Sequence, residues 1–186
     1  MKVAMQITFR GETEKVCCLC FADTRCFGGL ALVDKLKEQG VDLLERALSR
    51  EISQTEWVRI FSRHPLQKKQ ICQVLLDQDT IAGIGNYLKA EILYEAGIAP
   101  GRLVSSLSSE DLEALREAAH RVILESYRAG GLTIENFQAP DGKQGVFEVK
   151  VYGQKTDPDG RDVVTWGAKE GLKDGRTTHW VPDLQV

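Results

Sequence analysis

Polar and apolar residues alternate from Met1 to Phe9, with Val3, Met5, Ile7 and Phe9 on one face and Gly11 in the turn that follows. Val16 to Phe21 is apolar on both faces. Period-two alternation is the strand signal, so these runs predict a β-hairpin. A strand that is apolar on both sides needs cover on both sides, and two strands do not stand alone in water. Asp34 to Leu48 reads as a charged, leucine-punctuated linker or short helix. From there the period changes to that of helices. Ser53-Gln54-Thr55-Glu56 is a capping box that opens a helix with Trp57, Ile60 and Phe61 inward, ended by Pro65. A helix over about Gln67 to Gln78 leads to Gly83-Ile84-Gly85-Asn86, and a second runs to about Ala96 with Gly97 as a left-handed cap. Ser108-Ser109-Glu110-Asp111 opens a long helix carrying Leu112, Leu115, Ala119, Val122, Ile123 and Tyr127 at helical spacing, closed by Gly130-Gly131. Residues 131–145 are polar and rich in turn formers. Phe147 to Tyr152, Val163 to Trp166 and Thr178 to Val181 read as strands.

The glycine turn is the most informative stretch. A helix start presents unpaired N–H groups and the positive end of the dipole, which together suit a phosphate. Asn86 adds a side-chain amide at that spot, and Lys89 adds a positive charge one turn on. A helical hairpin with a glycine turn and a capping Asn satisfies the same pattern without any ligand.

Of the 186 residues, 42% are hydrophobic and 27% charged, as in an ordinary globular protein of one domain or two small ones. No apolar run approaches the ~20 residues of a membrane span, and the first residues lack the apolar core of a signal peptide. Five cysteines, an odd number, fit a reducing intracellular compartment better than a disulfide framework. Cys17 and Cys20 have C-x-x-C spacing, but in a strand they fall on opposite faces, and no second pair follows. The net charge of −3 argues against a general polyanion binder and leaves room for a local basic face. His64, His120 and His179 are scattered, and no G-x-S-x-G, H-E-x-x-H or Walker loop is present.

The run from Ile71 to Pro100, ICQVLLDQDTIAGIGNYLKAEILYEAGIAP, resembles the helix–two-turn–helix of the formamidopyrimidine-DNA glycosylase and endonuclease VIII-like family, whose members excise oxidised bases. The wording GNYLKAEILY is closest to the endonuclease VIII-like branch. Asp23-Thr24-Arg25-Cys26-Phe27-Gly28 is similar to the family's D-x-R-R-F-G segment near the end of its N-terminal β-sandwich. Val151-Tyr152-Gly153, followed by Gly175-Arg176-Thr177-Thr178-His179-Trp180-Val181-Pro182, is similar to its terminal β-hairpin finger. The resemblance implies that Asn86 holds DNA phosphate, that the backbone at Gly85 approaches it, and that Arg176 at the finger tip pairs with phosphate beside the lesion. It implies that Arg25 and Phe27 fill the gap left by a flipped base, one bonding the orphan base and the other wedging the stack. It also implies that residues 131–147 form the loop able to cover an everted base.

The departures from the family are as telling. Cys26 stands at the second Arg of R-R-F. The finger's four zinc positions fall on Asp159, Asp162, Val181 and Leu184, a set that cannot make a tetrahedral zinc site, so a zincless finger packed by Trp166, Trp180 and Tyr152 is expected, with no metal and no cofactor. The family's chemistry uses an N-terminal Pro followed by Glu. The proline amine forms a Schiff base with the sugar, and the Glu moves protons. This chain begins Met1-Lys2-Val3, which aligns inside the sandwich. The expected fold is therefore α+β, with a partial β-sandwich remnant plus linker (1–50), a helix–two-turn–helix domain (51–146) and a zincless β-hairpin finger (147–186). The expected function is the DNA-binding part of an oxidised-base glycosylase and AP lyase, with no catalytic residue of its own. Its expected partner is double-stranded DNA carrying a damaged or abasic site. Two alternatives stand: an active enzyme completed by a second polypeptide or copy that fills out the sandwich, and a non-enzymatic nucleic-acid-binding subunit of a larger particle.

Overall fold

The computed structural model describes residues 3–10, 16–23, 39–49, 52–132 and 144–186. The chain divides into two compact units, Met1–Lys37 and Glu38–Val186. In the first, strands β1 (Val3–Arg10) and β2 (Val16–Asp23) pair antiparallel, with Val3 opposite Asp23 and Arg10 opposite Val16, as the alternation predicts. Arg25, Phe27 and Cys26 lie outside the described residues.

The second unit is helical, with short strands. It begins with β3 (Val41–Asp42) and α1 (Leu43–Ser49). Leu43 enters the same core as the helices that follow, so of the two readings of this stretch the short helix holds for α1. Helix α2 (Gln54–Phe61) is capped by Ser53, whose hydroxyl accepts from the Glu56 amide at 3.3 Å, and it buries Trp57, Ile60 and Phe61. Pro65 does not end α2. It sits in the first turn of α3 (His64–Gln67), where a missing N–H costs nothing. The single helix predicted over Gln67 to Gln78 is shorter, α4 (Ile71–Leu76). The Gln73 side chain accepts from the Gln70 amide at 3.0 Å and starts the helix late, and Asp77 caps it early.

Strand β4 (Ile81–Ala82) pairs parallel with β3 across the glycine turn, and α5 (Asn86–Glu95) follows. Gly97, with φ 68°, ends α5 as predicted. Helix α6 (Ser109–Arg128) opens on the Ser108–Asp111 capping box and buries Leu115, Ala119, Val122 and Ile123. Tyr127, read as inward, is 56% exposed, because it lies at the frayed end of the stripe beside Gly130-Gly131. Around Ile71, Leu75, Ile92, Leu93 and Leu115 these helices close one apolar core.

The finger is a hairpin of β5 (Val164–Trp166) and β6 (Thr178–Trp180), paired antiparallel with Val164 opposite Trp180. Trp166 and Trp180 stack with centroids 5.0 Å apart. Phe147 to Tyr152 is not a strand. The amides of Lys150, Val151 and Tyr152 turn toward a carboxylate on α5, which removes them from any ladder.

Candidate nucleic-acid interface

Asp77 and Gln78 build the turn between α4 and α5. The Asp77 carboxylate accepts from Lys69 Nζ (3.3 Å), Thr80 Oγ1 (3.2 Å) and the Asp79 amide (3.2 Å). Burial pushes its pKa up, and these donors outweigh burial and hold it below the usual carboxylate value. Gln78 spans the turn, donating to the Ile84 carbonyl (3.0 Å) and accepting from the Gly83 amide (3.0 Å). Gly83 takes φ 94°, a left-handed conformation that strains any other residue. Gly85 is the N-cap of α5 and offers no side chain to the first-turn amides, and that turn holds no acidic residue. The start of α5 is thus open to an anion from outside, as the sequence suggested.

Asn86 faces the finger. Its Nδ2 donates to the Thr177 carbonyl at 3.0 Å, and its Oδ1 accepts from Lys89 Nζ at 2.9 Å. Arg176, next to Thr177, is exposed, and its amide donates to Asp174 Oδ1 at 2.9 Å. Gly175, with φ 70°, makes that tight turn possible. The fold therefore brings Asn86 and the Arg176 turn together from positions far apart in the chain.

Lys89 is placed differently from the expectation of an exposed positive charge. It is fully buried and forms an ion pair with Asp174, whose side chain is also fully buried. Burial pushes the ammonium's pKa down, and Asp174 draws it part of the way back. A buried ammonium with two internal acceptors is a tie between α5 and the finger, not a surface contact. The sequence reading missed Asp174, Gln70, Gln73 and Glu91. Glu91 is buried on α5 and accepts from the amides of Lys150 (2.8 Å), Val151 (3.1 Å) and Tyr152 (2.8 Å).

At the base of the hairpin, Val181 and Leu184, which the resemblance aligns with two zinc positions, pack with Ala90, Tyr94 and Val151 in a second apolar cluster. Asp159 pairs with Arg161. Asp157 collects Tyr94 Oη (3.1 Å), Arg161 Nε (2.7 Å) and the amides of Asp159 and Arg161. Burial raises its pKa, and these donors more than offset that, so the carboxylate stays below its ordinary range. These residues do not fit a zinc ion: two of the four positions are aliphatic, and Asp159 is paired with Arg161.

His179 packs edge-on against Tyr152 with centroids 5.1 Å apart, and its buried Nδ1 has no hydrogen-bond partner among the described residues. Burial, and then the charge on Lys89, push its pKa below the ordinary value. Unfolded His179 titrates near about 6.5 and the folded residue lower, so between those values the unfolded chain binds more protons and stability falls as pH falls. The thermal midpoint should drop between about pH 7 and about pH 5, and His179→Gln should remove part of that drop. An unchanged pH profile in the variant would show that His179 does not sense the buried environment.

An open helix start after a glycine turn, set beside an arginine-bearing hairpin, defines a helix–two-turn–helix module packed against a β-hairpin. The comparisons agree. Residues 48–138 match the model described as formamidopyrimidine-DNA glycosylase H2TH domain. A formamidopyrimidine-DNA glycosylase of Desulfitobacterium hafniense is 38% identical over 144 residues, which are 74% of this chain and 52% of the relative. That of Salmonella agona is 36% identical over 142 residues, with the same two shares. The crystal structure of the MutM (Fpg) protein from Thermus thermophilus superposes with a TM-score of 0.64 at 30% identity, over 78% of this chain and 53% of that one. Lactococcus lactis Fpg in complex with DNA containing an abasic site has the same fold, with a TM-score of 0.61 at 24% identity over 72% of this chain and 48% of that one. Residues 48–138 thus carry the H2TH domain of the formamidopyrimidine-DNA glycosylases, and the chain is similar to those enzymes over about three quarters of its length. It spans about half the length of the curated relatives it matches.

Proposed function

We propose that this chain binds double-stranded DNA at a damaged or abasic site as a component of oxidised-base excision repair. The observation that carries the reading is the 3.0 Å bond from Asn86 Nδ2 to the Thr177 carbonyl, which sets an uncapped helix start beside Arg176. Amides at a helix N-terminus and a guanidinium next to them are complementary to one phosphate group. Arg25 and Phe27 take the gap-filling roles, and the finger keeps its shape by apolar packing without metal. Phosphate contacts position a protein without reading sequence, so preference for a lesion has to come from the gap-filling side chains and from the ease of bending DNA at an abasic site.

Fluorescence anisotropy with a tetrahydrofuran-containing duplex, the matching undamaged duplex and a structured RNA tests this reading. The abasic-analogue duplex should bind tightest, and equal binding to the undamaged duplex would overturn the preference for a lesion. Tighter binding to the RNA would overturn the choice of partner.

A further inference from the structure

Two ties hold the loop of the finger from opposite sides. On one side, Gln70 Nε2 donates to the Gly171 carbonyl (3.1 Å), Gln70 Oε1 accepts from the Lys173 amide (2.8 Å), and Gln73 Nε2 donates to the Lys173 carbonyl (3.0 Å). On the other, the buried Lys89–Asp174 ion pair and the Asn86–Thr177 bond fasten the loop to the start of α5. Asp174 serves both sides of this second tie. One oxygen meets Lys89, and the other takes the amide of Arg176. Lys89 likewise meets Asp174 and Asn86 together. Asn86 and Arg176, the two residues that the proposed function places at a phosphate, are therefore each one bond from the same buried pair.

We propose that Lys89 and Asp174 are positioning residues: their buried ion pair locks the finger loop onto α5 so that Arg176 and Asn86 meet a single DNA phosphate without either member of the pair touching DNA. The inference rests on the phosphate-binding reading above. A buried ion pair is a poor source of net stability, because desolvation offsets the attraction, and it is better suited to selecting one geometry. An unbraced loop would leave Arg176 with the full rotamer and backbone freedom of an exposed turn, and binding would have to remove that freedom. A braced loop has already lost it.

The test replaces the pair by neutral partners, Lys89→Met with Asp174→Asn, so that no uncompensated charge stays buried and the acceptor for the Arg176 amide is kept. Circular dichroism and the thermal midpoint should show a folded chain. Affinity for the tetrahydrofuran duplex should fall by about tenfold, and the slope of log K against log salt should shrink by about 0.9, the loss of one phosphate contact. In an Arg176→Ala background the same pair of changes should add little, because the brace acts through Arg176. A folded double variant with unchanged affinity and slope would overturn the brace, and so would a loss that adds fully to that of Arg176→Ala. If Arg176→Ala and Asn86→Ala themselves leave binding intact, the phosphate site fails and not only its brace. Hydrogen exchange on the unaltered chain gives a second measure that needs no variant. The Arg176 amide, bonded to Asp174, should be protected to the degree of those in β6, and exchange at the free-loop rate would overturn the proposal.

Discussion

Arg176→Ala should weaken binding to a tetrahydrofuran-containing duplex by roughly 10- to 100-fold, the scale of one charge-assisted hydrogen bond to an anion. The salt dependence should flatten by about 0.9 in slope. Stability should barely change, since the Arg176 side chain is exposed and the turn is held by its amide and not by its guanidinium. Asn86→Ala is expected to cost at least as much affinity, and for a different reason. It removes a side-chain amide beside the proposed phosphate site and also cuts the bond to the Thr177 carbonyl and one acceptor of the buried Lys89. The Asn86 variant should therefore lose stability as well as affinity, and the Arg176 variant affinity alone. Equal thermal midpoints for the two variants would argue against the Asn86 tie. Unchanged affinity in both would argue against a phosphate site at this corner of the fold.

Glu91→Ala should be the most destabilising of the substitutions considered. The carboxylate serves three successive backbone donors, those of Lys150, Val151 and Tyr152. Each orphaned buried donor costs about 1–3 kcal/mol, so a loss of several kcal/mol is expected. For a chain of this size a loss of about 3 kcal/mol corresponds to a fall of roughly 6–12 °C in Tm. Glu91→Gln keeps one carbonyl acceptor and should fall between the two. The loss should appear first at the finger, because Val151 and Tyr152 join Val181 and Leu184 in the cluster that seats it. Thermal denaturation followed by tryptophan fluorescence, with Trp166 and Trp180 on the finger, measures this. A Glu91→Ala chain as stable as the original would mean that water serves those three amides equally well.

Most of the helical core was legible in the sequence, because caps and helical periodicity are local. Ser53, Ser108 and Gly97 mark helix ends within one turn of where the chain places them. The errors came where a local signal was ambiguous. Alternation over Phe147 to Tyr152 reads as a strand, yet Glu91, far away in sequence, takes the amides a strand would use. Pro65 reads as a stop, and it is equally at home at the beginning of a helix. Lys89 reads as surface charge, since most lysines are, and nothing in the neighbouring residues announces a buried partner 85 positions later.

The sequence by itself determined the class of this protein. The glycine turn, the helix it opens and the finger motif follow in a fixed order, and each depends on backbone freedom or capping that a few adjacent residues dictate. Only the tertiary structure decided how these parts act on one another. It turned Lys89 inward onto Asp174, set Asn86 against Thr177, and committed Glu91 to the amides beneath the finger. The physical reason is that a charge or an amide has no preferred partner until the fold removes water from around it. Once water is gone, the nearest complementary group is the partner, and which group is nearest depends on how the chain returns on itself.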